Sequence, residues 1–309
     1  MSAPPDPELV KGIAGELGVD PSFIEKDWHA MRIVGVLTAE DAKIDDGMSL
    51  AFSGGTSLSK GHGLIKRFSE DLDFKVIMPS VGGGKAARRD HRERLLESID
   101  AIEGWSTVNI EKGNQSKFFS CFINYPTTFD PHNALRPQVK LDVSYDSPAM
   151  ATDELALSSF LGQANEENPE VPLIACVTPV ETAADKLSAL SWRVLTRERG
   201  SEKDDPALVR HLYDLTALEG CAGESQDFPE LLSELLGQET SDRLKRFPRL
   251  AAMAPSDRLA NALDTLAEDP EYTSEYERFA LNMSYAAETE RPTFEQGLEA
   301  ARRLAERVT

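Results

Sequence analysis

The chain has 309 residues, 40% of them hydrophobic and 28% charged, a soluble globular composition with room for two domains. Its formal net charge of −20 excludes a protein that coats nucleic acid through a global field, but leaves room for a local basic groove and suits a basic protein partner. No apolar run reaches the ~20 residues of a membrane helix, and the opening Met1-Ser-Ala-Pro-Pro-Asp6 lacks the basic and apolar parts of a signal peptide, so a cytoplasmic address without membrane contact is expected. Cys121, Cys176 and Cys221 are far apart and form no Cys-x-x-Cys pair. They read as reduced, buried small hydrophobes rather than a disulfide frame or a zinc site. A monomer is the default expectation.

Residues 1–45 read as helical. Leu9, Ile13 and Leu17 recur on one helix face that Gly18 ends, and a second helix spans about 23–37 with Phe23, Ile24, Trp28, Met31 and Val34 as its apolar stripe. The charged trio Glu25, Lys26 and Asp27 reads as the solvated face of that helix. Strand signals occupy residues 46 to about 165. The run 49–52 enters a Gly54-Gly55 turn, and 67–78 holds a strand on which Asp71, Asp73 and Lys75 face one way and Leu72, Phe74 and Val76 the other. Residues 85–102 form a helix bearing Lys85, Arg88, Arg89, His91, Arg92 and Arg94. This is either an exposed helix face or, in so acidic a chain, a nucleic-acid contact. Strands follow at 117–125 and 137–145; in the second, Gln138, Lys140, Asp142 and Ser144 share a face, so Asp142 is a third strand-borne carboxylate. The polar stretch 163–170 is the expected linker between domains 1–165 and 166–309.

From Thr178 the pattern is helical. Thr178 as cap and Pro179 in the first turn start a helix to about Arg197, with Leu187, Leu190 and Val194 on its apolar side and Lys186, Arg193 and Arg197 as a basic stripe. Asp205-Pro206 starts another through Asp214 and Leu215, and amphipathic segments follow at about 228–236, 256–266, 272–281 and 293–308. The predicted fold class is α+β: a mixed sheet flanked by helices, then a helical C-terminal domain.

Three aspartates on neighbouring strands suit a two-metal phosphoryl-transfer site. Two Mg²⁺ or Mn²⁺ ions ~3.5 to 4 Å apart would hold a triphosphate and lower the pKa of an attacking hydroxyl, Asp71 and Asp73 bridging both and Asp142 holding the ion that faces the nucleophile. Gly54 and Gly55 let backbone amides approach the phosphates, a helix beginning at Thr56 or Ser57 turns its N-terminus to the same charge, and Lys60 lies one turn on. In-line displacement needs no covalent intermediate. Singly, a Gly-Gly-Thr turn is ordinary turn chemistry and an Asp-x-Asp pair is ordinary surface or capping chemistry. Strand, Gly-Gly, helix, Asp-x-Asp strand and a further strand aspartate together resemble the nucleotidyltransferase fold shared with DNA polymerase beta.

The order of Glu25-Lys-Asp27, Gly54-Gly-Thr-Ser-Leu-Ser-Lys60, Phe68-Ser-Glu-Asp-Leu-Asp-Phe74, Val139-Lys-Leu-Asp-Val143, Thr178-Pro-Val-Glu-Thr-Ala-Ala-Asp-Lys-Leu-Ser-Ala-Leu190 and Arg210-His-Leu-Tyr-Asp-Leu215 is similar to that of the AbiEii/AbiGii (MenT-like) nucleotidyltransferase toxin family, over about residues 20–220. The resemblance implies the toxin of a toxin–antitoxin or abortive-infection pair. Such a toxin is NTP-dependent and adds nucleotides, often pyrimidines, to the 3′ acceptor end of tRNA, which blocks aminoacylation and translation. It also implies NTP, a tRNA or other RNA acceptor and a cognate antitoxin as partners. Carried over residue by residue, Asp71 and Asp73 match the metal-binding pair, Lys186 the lysine of the helical region, and Asp214 a second essential aspartate. Ser69 matches a serine that some antitoxins phosphorylate, which would place negative charge beside the metal carboxylates. Read from the residues alone, Lys186 is either a triphosphate ligand or a surface lysine, and Arg210 with Asp214 could form an intrahelical salt bridge. Ser69 could simply cap the turn before the strand. Transfer to a small molecule or a protein hydroxyl, and a non-catalytic nucleotide-binding module, are the alternatives.

Overall fold

Seven strands lie side by side in the order β3-β4-β5-β2-β1-β7-β6. They are β1 (Ser49–Ser53), β2 (Asp71–Ile77), β3 (Ser106–Gly113), β4 (Phe118–Asn124), β5 (Val139–Ser144), β6 (Asp153–Leu157) and β7 (Val171–Cys176). The sheet is mixed, as expected: β2 runs parallel to β5 and β1 parallel to β7, while the β1–β2, β3–β4, β4–β5 and β6–β7 pairs are antiparallel. The computed structural model describes residues 5–238, 244 and 246–308. Residues 1–4, part of the opening stretch without a signal-peptide pattern, lie outside the described residues.

The chain divides into two units, 1–177 and 178–309. The division falls after β7 and not within the polar stretch 163–170, because β7 is hydrogen-bonded into the sheet beside β1. In the first unit α1 (Pro7–Leu17) is capped by the Asp6 carboxylate on the Glu8 amide, and α2 (Pro21–Asp41) by Asp20 on the Ser22 amide. Three more helices, α3 (Gly54–Lys60), α4 (Lys85–Asp100) and α5 (Phe160–Ala164), complete this unit. On β2 and β5 alternate residues are buried, so Leu72, Phe74, Val76, Leu141 and Val143 join Met31, Leu37, Leu95 and Ile99 in one core. Fully burying each such side chain contributes about 1.5–3 kcal/mol.

The solvated face expected for Glu25, Lys26 and Asp27 is absent. All three are buried, because α2 packs against α1, α4, α5 and β7 and has no broad solvent side. The basic segment on α4 is largely committed as well. His91 and Arg92 are buried; His91 Nε2 lies 3.0 Å from Asp41 Oδ1, and Arg94 Nη2 donates to Glu40 Oε1 at 2.8 Å. Of the cysteines, Cys121 and Cys176 are buried, and burial pushes their thiols up to about 12 and about 11, whereas Cys221 is exposed.

The second unit is helical. It begins with α6 (Pro179–Leu195), whose cap is the Thr178 hydroxyl accepting from the Glu181 amide, and continues with α7 (Arg210–Glu224). Helices Phe228–Gly237, Pro255–Glu268, Pro270–Met283 and Phe294–Ala305 follow, and α6 packs on α7 and on Pro255–Glu268. Among the described residues no helix is long and apolar enough to cross a membrane.

Candidate active site

The site begins where β1 runs directly into α3. Gly54 holds a left-handed φ of 74°, and a Cβ there would stand 2.1 Å from Asp73 Oδ2; a Cβ on Gly55 would meet Arg67 Nη2 at 2.7 Å and Ser69 Oγ at 3.0 Å. Only glycine allows this approach of backbone to carboxylate and guanidinium. The next residues anchor the turn: the Thr56 hydroxyl donates to the Asp71 carbonyl at 2.7 Å, and Ser57 is buried beside the Cys176 thiol. Lys60 faces inward. Its ammonium is 2.7 Å from Asp27 Oδ1 and 3.3 Å from the centroid of the Phe160 ring. Burial pulls the Lys60 ammonium pKa down and pushes the Asp27 carboxyl up, each opposed by the attraction of the other.

Across the sheet, Asp73 on β2 is registered against Asp142 on β5, and Asp71 against Lys140. The three aspartates share one face, as their alternation predicts, with Leu72, Phe74, Leu141 and Val143 on the core side. Their side chains do not converge on one point. Among the described residues no three acidic, histidine or cysteine side chains are gathered as a ready cation cage. Asp71 Oδ1 lies 3.1 Å from Arg136 Nη1, and Asp142 Oδ2 accepts from Lys140 Nζ at 2.6 Å. The residues nonetheless fit a divalent cation. Their donors are hard carboxylate oxygens, the type Mg²⁺ prefers, and Asp142 Oδ1 is buried with no hydrogen-bond partner. The missing Cβ of Gly54 lets the Asp73 carboxylate lie directly against the turn.

The sequence reading missed the network that supports these carboxylates. Lys26 Nζ donates to Glu70 Oε1 at 2.7 Å and to the Arg136 carbonyl at 2.8 Å, and the Arg136 amide donates to the same Glu70 oxygen at 2.5 Å. The Glu25 carboxylate accepts from the Thr128 and Phe129 amides at 2.7 and 3.2 Å. Two consecutive charges of α2 therefore pin the loop between β4 and β5, which delivers Arg136 to Asp71. The available signal was three adjacent charges flanked by the apolar residues Phe23, Ile24 and Trp28.

In the second unit Lys186 and Asp214 form a buried pair, Nζ to Oδ2 2.6 Å, with side chains 9% and 0% exposed. Lys186 is thus not a surface lysine. Arg210 does not bridge to Asp214; it pairs with Asp205 at 3.1 Å, which also takes Arg193 at 2.8 Å. Arg197 completes the expected basic stripe but is bound by Asp204 and Glu275, at 2.7 and 2.6 Å. These bonds, led by Glu275, raise its pKa further.

A strand, a glycine turn and facing aspartates on parallel neighbours recur in enzymes that handle nucleotides, so the family decides the reading. The family model described as "Nucleotidyl transferase AbiEii toxin, Type IV TA system" matches residues 36–300. The chain belongs to the AbiEii nucleotidyltransferase toxin family. The AbiEii match runs well past residue 220 and takes in the C-terminal helices, and membership of a toxin–antitoxin family implies an antitoxin partner. Among solved structures the chain is similar to an antigenic nucleotidyltransferase-like protein from Paracoccidioides brasiliensis, at 14% identity and a TM-score of 0.35, over 75% of this chain and 93% of that one. No curated protein matches the chain.

Proposed function

We propose that this AbiEii-family chain is a metal-dependent nucleotidyltransferase that moves a nucleoside monophosphate from an NTP to an RNA 3′ hydroxyl, the tRNA acceptor end above all, and so blocks translation. The observation that carries this reading is the register of Asp73 against Asp142 beside the Gly54 turn. Asp71, Asp73 and Asp142, which share one face of the sheet, would hold Mg²⁺ or Mn²⁺. When bound, the metal neutralises triphosphate charge and lowers the pKa of the attacking hydroxyl. The hydroxyl oxygen bonds to the α-phosphorus, the α–β bridging bond breaks, pyrophosphate leaves and the hydroxyl proton passes to solvent.

Gly54 and Gly55 let the triphosphate come close to the backbone. Ser69 touches the same turn, and a phosphate there would set negative charge beside the carboxylates and oppose triphosphate binding. Lys186 and Asp214 are assigned to the reaction from the family resemblance. Lys60, expected among the phosphate ligands, is instead given the task of anchoring α3 through Asp27.

A second reading, transfer to a small molecule or a protein hydroxyl, is favoured by one observation: much of the basic segment on α4 is already bound to carboxylates or buried. Incubating the protein with Mg²⁺, labelled NTPs and total tRNA separates the two. Label in RNA supports the first reading, and label only in protein or small molecules supports the second.

A further inference from the structure

Arg136 stands beside Asp71, one of the carboxylates assigned to the metal. Its guanidinium is 3.1 Å from Asp71 Oδ1, and Nε is 3.9 Å from Glu70 Oε2. The backbone at this residue is clamped on both sides, its amide by Glu70 and its carbonyl by Lys26. Lys26 itself is buried, which shields the ammonium side of the clamp from water. The Arg136 side chain, by contrast, is 43% exposed and can turn without moving the loop. On the neighbouring strand Lys140, 29% exposed, repeats the arrangement with Asp142. Two of the three site carboxylates, those of Asp71 and Asp142, are thus each paired with a cation of the chain itself.

We infer that Arg136 is a displaceable counterion: it holds Asp71 in the metal-free chain and transfers to the triphosphate when metal and NTP bind. This rests on the metal-dependent reading above. A carboxylate cannot give one oxygen to a divalent ion and keep a guanidinium at full strength, since both compete for the same negative charge. A planar guanidinium released beside a triphosphate can donate to two of its phosphate oxygens at once, the bidentate contact it makes best. The anchored backbone keeps the released side chain within reach of the nucleotide, which makes Arg136 a ligand-binding residue in the loaded state and a block on premature metal entry in the empty one.

The test uses the full chain as wild type, Arg136→Gln, Arg136→Lys and Asp71→Ala. Free Mn²⁺ is followed by electron paramagnetic resonance, and binding of α,β-methylene NTPs in saturating Mn²⁺ by calorimetry. Arg136→Gln should bind Mn²⁺ about two- to fivefold more tightly without nucleotide, the effect of removing a half-exposed ion pair. It should bind the analogues about tenfold more weakly, the loss of a charge-assisted contact. Arg136→Lys, which keeps the charge, should leave Mn²⁺ affinity near wild type and still weaken the analogues; it carries the comparison if the glutamine variant folds poorly. Unchanged or weaker Mn²⁺ binding by Arg136→Gln, or unchanged analogue binding by both variants, overturns the inference. Failure of the underlying reading looks different: wild type then binds no Mn²⁺, or Asp71→Ala binds it as well as wild type.

Discussion

Asp73 on β2 stands directly opposite Asp142 on β5 in a parallel ladder, and the same register sets Asp71 beside Lys140. One strand pairing therefore decides which carboxylates lie side by side and which of the chain's cations lies next to them. A slip of one residue in this pairing would put Asp142 on the opposite face of the sheet from Asp71 and Asp73.

Gly54→Ala should be damaging out of proportion to its size. The left-handed backbone alone costs alanine about 1–2 kcal/mol, and the new Cβ would stand 2.1 Å from Asp73 Oδ2. We expect the unfolding free energy from denaturant titration to fall by at least that amount and transferase activity to be lost as Asp73 is pushed aside; wild-type activity in a folded Gly54→Ala protein would show that Asp73 does not need its present position.

Lys26→Met should destabilise the first unit by about 3 kcal/mol or more, because it leaves the Glu70 carboxylate, 14% exposed, without its ammonium partner. Urea unfolding gives the value. Lys26→Met with Glu70→Gln should recover much of the loss, and a single mutant as stable as wild type would mean the pair is not coupled.

For Lys186 and Asp214, activity and folding must be separated. Either single change, Lys186→Met or Asp214→Leu, strands a buried charge and should cost about 3–5 kcal/mol. The double variant should regain stability and remain inactive. Regained activity would make the pair structural only.

Burial pulls His29 down to about 4, and its ring lies 4.4 Å from that of Tyr125. Because the folded pKa lies below the unfolded one, the unfolded chain takes up a proton that the folded chain refuses between about pH 6.5 and 4. The contribution of His29 to stability is therefore whole above about pH 6.5 and is lost as pH falls towards 4, by about 3 kcal/mol. His29→Phe should flatten this part of the stability–pH curve, and an unchanged curve would refute the assignment.

How far the sequence reveals the molecule depends on where each residue's partners lie. The central strands β1, β2, β4 and β5 announce themselves by alternation or apolar runs, since one face of each meets the core. The edge strands β3 and β6 bury little and show no clear alternation, and β7, with Pro172 inside it, is equally hidden between β1 and β6. The aspartates are legible because their spacing is local. The roles of Glu25, Lys26 and Asp27 are not, because their partners, Thr128, Glu70 and Lys60, are brought to them only by folding. The same holds for Arg136 and Lys140: spacing put Lys140 on the face of Asp142, but only coordinates show that it binds it.

The central claim is that Asp71, Asp73 and Asp142 carry nucleotidyl transfer to RNA. Purified chain should be incubated with total tRNA, Mg²⁺ or Mn²⁺ and each labelled NTP in turn, beside Asp71→Ala and Asp73→Ala proteins shown to be folded. The account predicts labelled tRNA with wild type, dependent on the metal, and none with either variant. No incorporation from any NTP, or incorporation that survives both substitutions, would contradict it.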